Sequence, residues 1–124
     1  MTIRIVQWTL DVHDVDVMAD FWSRALGYEV RKRSDGSAKL VPPADAAPDS
    51  PLVWLQPTAA PKNGKNRNHL DLNAADGDVQ AEVERLIALG ARRADVGQTG
   101  DEGFEVLADP EGNEFCVLHG PPAR

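Results

Sequence analysis

Two stretches of this chain, about half a chain length apart, repeat one pattern: an alternating strand, an amphipathic helix, and the helix-ending tripeptide Ala-Leu-Gly. In the first helix, Met18, Phe21, Trp22, Ala25 and Leu26 recur at helical spacing and form a single apolar stripe. Asp14 offers its side chain to the first free N–H groups, and Gly27 stands where a left-handed residue ends a helix. In the second helix the stripe is Val79, Val83, Leu86 and Ile87, with Asp76 or Asp78 as cap and Gly90 as terminator. Residues 6–12 precede the first helix and residues 68–73 the second, both alternating as strands do. A unit repeated at half-length points to internal duplication.

Each helix is followed by three more strand-like runs: 28–33, 38–41 and 52–56 in the first half, and 91–96, 104–108 and 114–118 in the second. Turn-forming segments separate them, including 34–36, 42–51, 97–103 and Asp109-Pro110-Glu111-Gly112-Asn113. The reading is an α+β chain of two β-α-β-β-β modules, at about residues 1–60 and 66–120 of a single 124-residue domain. One helix covers one face of each half, so the other face is free to line a cleft or an interface.

Period-two alternation sorts the side chains between those faces. Trp8, Leu10 and Val12 go under the first helix, leaving Gln7, Thr9 and Asp11 opposite. Val53 and Leu55 face the helix, which sends Leu52, Trp54 and Gln56 to the cleft. In the second half Leu70, Leu72, Phe115 and Val117 turn inward, and His69, Asp71, Asn73, Glu114, Cys116 and Leu118 turn outward. Polar groups converging on a concave sheet face are how a small-molecule site is built, although a wetted sheet face is polar too. The residues proposed for the cleft are Gln7, Thr9, Asp11, Trp54, Gln56, His69, Asp71, Glu114 and Cys116.

Thirteen Lys and Arg against 20 Asp and Glu give a formal net charge of −7, which repels a phosphate backbone and argues against nucleic acid or a polybasic membrane anchor. No apolar run is long enough to span a bilayer, and residues 1–6 lack the apolar region of a secretory signal. The single cysteine, Cys116, suits a reducing compartment, so the cytoplasm is expected. The basic run Lys62-Asn63-Gly64-Lys65-Asn66-Arg67 lacks a phosphate-loop ending and is a solvated loop or a guide for an anionic ligand. His13 and His119 are expected in solvent.

Three segments carry a family resemblance: Leu10-Asp11-Val12-His13-Asp14 with Phe21-Trp22 and Ala25-Leu26-Gly27-Tyr28; Lys65 through Leu72; and Asp109 through Phe115. In order and spacing the chain resembles the vicinal oxygen chelate superfamily, which includes glyoxalases, bleomycin-resistance proteins and extradiol dioxygenases. The resemblance implies a cupped eight-stranded mixed sheet with helices on its outer face, and a homodimer. It also implies metal ligands on the first, fourth, fifth and eighth strands in the metal-dependent members. Carried over, these positions fall on Gln7, on Trp54 (or Gln56 with a shifted register), on His69 and on Cys116. Only Gln7 and His69 match residue types that the family uses as ligands, so the set lacks the carboxylates that a hard divalent ion needs.

The leading expectation is therefore a protein that binds an unidentified small organic molecule without a complete metal site or other cofactor. One alternative is a divalent-metal-dependent lyase or isomerase with rearranged ligands, such as Gln7 and His69 with Glu114 or Asp71. Another is a metal-free acid–base enzyme using Asp11, Asp71 or Glu114 near His69. Cys116 reads as a quiet thiol, and Trp54 as a stacking surface or a space-filler.

Overall fold

The computed structural model describes every residue except Asp101 and Ala123. The chain divides into two compact units, Met1–Pro61 and Lys62–Arg124. The expected 97–103 connection includes Asp101, which lies outside the described residues.

The first unit holds β1 (Gln7–Val12), α1 (Val15–Leu26), β2 (Glu29–Lys32), β3 (Ala38–Val41) and β4 (Leu52–Pro57). Its sheet has the order β1-β4-β3-β2, with β1 parallel to β4 and the remaining pairs antiparallel. The second unit repeats the plan with β5 (Asp71–Asn73), α2 (Val79–Leu89), β6 (Arg92–Arg93), β7 (Phe104–Ala108) and β8 (Glu114–Leu118), in the order β5-β8-β7-β6. The α+β class and both β-α-β-β-β modules are thus present, with the eight strands shared equally between two mixed sheets.

The helices form where the caps place them. Asp14 Oδ1 accepts the Val17 N–H at 3.1 Å, and Gly27 closes α1 with φ 71°, a conformation that a side chain would strain. Of the two candidate caps on the second helix, Asp78 serves: its Oδ1 accepts the Ala81 N–H at 3.0 Å, while Asp76 holds the Asp78 N–H. Met18, Ala19, Phe21 and Trp22 bury the inner face of α1, which packs on β2, β3 and β4. Under it lie Leu10, Val12, Val53 and Leu55, which alternation assigns to that face, together with Leu40 from β3. In the second unit Val83 and Leu86 bury the inner face of α2, with Phe115, Leu107 and Val117 in the core.

Three local expectations are corrected. Strand 68–73 shortens to β5, so His69 lies on the approach to the strand, although the Leu70 carbonyl already accepts the Cys116 N–H at 2.9 Å. Strand 91–96 shortens to β6, because the Asp95 side chain takes the Gly97 N–H and Gln98 bonds to both Val96 N and Ala94 O, turning the backbone away. Ile87, expected in the core stripe, is 39% exposed, since α2 buries a narrower strip than α1. No helix among the described residues is long and apolar enough to cross a membrane.

Candidate functional site

The second unit carries the candidate site, and strand register builds it. Parallel pairing of β5 with β8 sets Asp71 beside Cys116, and antiparallel pairing of β7 with β8 sets Val106 on the other side of Cys116. Alternation then puts Asp71, Glu114, Cys116, Phe104 and Val106 on one face. They line a cavity of about 300 Å³ with His69, Lys65 and the turn residues Val96 and Gln98. Apolar walls from Phe104, Val96 and Val106 meet a polar floor, a composition typical of small-molecule pockets.

On that floor, His69 Nε2 lies 3.5 Å from Asp71 Oδ1. Among the described residues, the donor atoms of His69, Asp71 and Cys116 all lie within 4.8 Å of one another. Cys116 is buried, and burial together with the Asp71 carboxylate beside it pushes its thiol up to about 11. At neutral pH it is a protonated thiol.

Glu114 faces the same pocket but is already engaged. Its carboxylate pairs with the Lys62 ammonium at 2.6 Å and accepts the Asn66 backbone N–H at 3.3 Å, while Asn66 Nδ2 reaches Asn113 Oδ1. Burial alone would raise this carboxyl. The Lys62 and Asn66 hydrogen bonds outweigh it and hold the group below its usual range. Glu114 is therefore ionised and tied at neutral pH, which makes it a poor proton donor. The 62–67 segment, expected as a solvated loop or a guide for an anionic ligand, is strapped onto β8 by it.

The strap makes a pH prediction. A carboxyl lowered by folding contributes stability above the ordinary Glu value of about 4.3, and that contribution is lost as pH falls through the lower folded value. The protection of the Asn66 amide, its exchange rate measured against the intrinsic rate at each pH, should therefore fall on acidification through that window. In Glu114→Gln that protection should already be low at neutral pH and change little with pH.

In the first unit, the five expected cleft residues share one face. β1–β4 register pairs Gln7 with Leu52, Thr9 with Trp54 and Asp11 with Gln56. Lys39 joins them from β3, opposite Trp54. Its ammonium donates to Gln7 Oε1 and sits 5.1 Å from the centroid of the Trp54 ring. The Trp54 indole N–H is buried and finds no acceptor among the described residues. The side-chain oxygen of Gln7 is thus already engaged by a cation. Lys39 was not anticipated, although alternation over 38–41, with Ala38 and Leu40 buried, gives the signal that places it there.

The two other histidines are not simply solvated. His13 Nε2 contacts the Ala60 carbonyl at 2.7 Å, and His119 Nε2 contacts Glu105 Oε2 at 2.7 Å.

Residues 7–118 match a family model described as a glyoxalase-like domain. No curated protein matches the sequence significantly. Among solved structures, the fold is similar to a mutant fosfomycin resistance protein from Listeria monocytogenes, complexed with Mn(II) and dihydroxypropylphosphonic acid. The two chains are 16% identical, with 98% of this chain and 93% of that one covered and a TM-score of 0.74. A glyoxalase/bleomycin resistance protein from Albidiferax ferrireducens is 20% identical over 94% of this chain and 98% of that one, with a TM-score of 0.67. A glyoxalase/bleomycin resistance protein/dioxygenase family enzyme from Burkholderia phytofirmans is 17% identical, covering 90% of this chain and 94% of that one, with a TM-score of 0.67.

The second-unit cluster does not fit a hard ion such as Mn(II): such ions take several oxygen ligands, whereas it offers one imidazole nitrogen, one carboxylate oxygen and one sulfur.

Proposed function

The chain belongs to the glyoxalase-like domain family, and on that footing we propose that it binds a small organic molecule in the pocket of its second unit, without a hard divalent ion. The observation that carries this reading is the cavity of about 300 Å³ in which His69 and Asp71 face Phe104 and Val106. A ligand with an apolar body would pack on Phe104 and Val106, and a hydrogen-bonding end would meet the imidazole and the carboxylate. Glu114 and Lys62 act as structure, closing one edge of the pocket through the strap.

A homodimer and residence in the cytoplasm are part of the same proposal. The family resemblance supports the first and the single unpaired thiol of Cys116 the second.

A calorimetric screen of small aromatic and carboxylate-bearing fragments tests the reading. Hits should bind with unchanged affinity when excess Mg(II) or Mn(II) is added. His69→Ala and Phe104→Ala should each weaken them about tenfold or more, the equivalent of about 1.4 kcal/mol. Fragments that bind only with Mn(II) present, or that bind both variants as well as the parent, would remove this proposal.

A further inference from the structure

We infer that His69, Asp71 and Cys116 form a site for a thiophilic transition ion of the zinc class rather than for a hard ion such as Mn(II). The inference goes beyond the small-molecule reading: it concerns the floor of the same pocket and does not require an organic ligand to bind.

Three features of the second unit carry it. The donor atoms are one imidazole nitrogen, one carboxylate oxygen and one sulfur, all within 4.8 Å of one another. Adjacent tetrahedral ligands on zinc stand somewhat closer than this, because Zn–N and Zn–O distances are about 2.0–2.2 Å and Zn–S about 2.3 Å. Closing the gap needs only side-chain movement by His69 and Asp71, whose side chains are 36% and 54% exposed. Cys116 is fixed by register between Asp71 and Val106, so the sulfur is the anchor around which the other two gather.

All three open onto the cavity, which leaves a fourth position for water or a ligand atom, the layout of an open zinc site. Sulfur and imidazole favour zinc-class ions over Mn(II) and Mg(II). Binding replaces the thiol proton with the ion and releases that proton to solvent, so one S–H bond breaks as one S–metal bond forms. The other charged groups at the pocket are Lys65, Glu102 and Glu114, the last already neutralised by Lys62.

The test uses the full chain, without a histidine tag and stripped by chelator, titrated with Zn(II), Co(II) and Mn(II). One equivalent of Zn(II) should bind at least about 100-fold more tightly than Mn(II), and His69→Ala should lose about 100-fold or more in zinc affinity, since even groups that merely support a ligand are worth 10–100-fold. Bound Co(II) should show a sulfur-to-metal charge-transfer absorption that disappears in Cys116→Ser, with circular dichroism confirming that the variant is folded. His69→Ala changes an exposed side chain and serves as the check should Cys116→Ser fail to fold.

Mn(II) binding as tightly as Zn(II), zinc affinity unchanged in His69→Ala, or a Co(II) complex without the sulfur band would each overturn the inference. So would the absence of stoichiometric zinc binding at micromolar concentrations, and fragment binding to metal-free protein would in that case leave the small-molecule reading standing.

Discussion

Trp22→Ala should destabilise the first unit by about 3–5 kcal/mol, the range for truncating a large aromatic in a packed core. Trp22 is 1% exposed, and its ring meets Trp8 edge-on at 5.3 Å and Phe21 at 5.1 Å. The substitution opens a cavity at the contact between α1 and the sheet and removes both aromatic pairs, each worth about 0.5–1.5 kcal/mol beyond area alone. The surrounding Met18, Leu40 and Leu55 are themselves buried and can collapse inward only in part. Urea unfolding followed by circular dichroism reads the change as a lower midpoint. A loss below about 1 kcal/mol would mean that the helix does not pack as described.

Asp109→Ala should cost the second unit about 3–4 kcal/mol, since several charge-assisted hydrogen bonds are lost together. Asp109 is fully buried at the hairpin between β7 and β8. Its Oδ1 accepts the N–H groups of Glu111 at 3.0 Å and Asn113 at 2.9 Å, and both carboxylate oxygens accept Asn113 Nδ2. Alanine removes the acceptor that those donors share inside the turn. Asp109→Asn keeps the shape but loses the charge and turns an NH₂ group toward N–H donors, so it should fall between the parent and the alanine variant. Because this turn sets the pairing of Ala108 with Glu114 and Val106 with Cys116, loosening it should also weaken whatever binds the pocket. An Asp109→Ala protein with the parent's unfolding midpoint would show that the turn is held by its backbone bonds alone.

The duplicated strand-helix plan was legible because it is written in local physics: helical apolar spacing, capping aspartates and a terminating glycine. Alternation also placed Leu10, Val12, Val53 and Leu55 under α1, because a strand's two faces follow directly from its period. The site was less legible, since it depends on partners distant in sequence. Nothing near Lys62 in the chain indicates that it pairs with Glu114, 52 residues away, and the basic loop looked free for that reason. Lys39 lies on a strand that alternates clearly, but its pairing with Gln7 joins residues 32 apart. His69 precedes a strand that starts two residues later, and nothing local to the Asp109 turn signals that its carboxylate is buried. Burial and pairing of charge are decided by tertiary packing, and a single sequence records them only faintly.

The most direct trial of the second-unit pocket is a backbone amide shift map, recorded on isotope-labelled protein during titration with the tightest fragment from the screen. Perturbations centred on His69, Asp71, Phe104, Val106 and Cys116 are the predicted result. Shifts confined to the face of Gln7, Thr9, Lys39 and Trp54, with those second-unit amides unmoved at saturation, would contradict it.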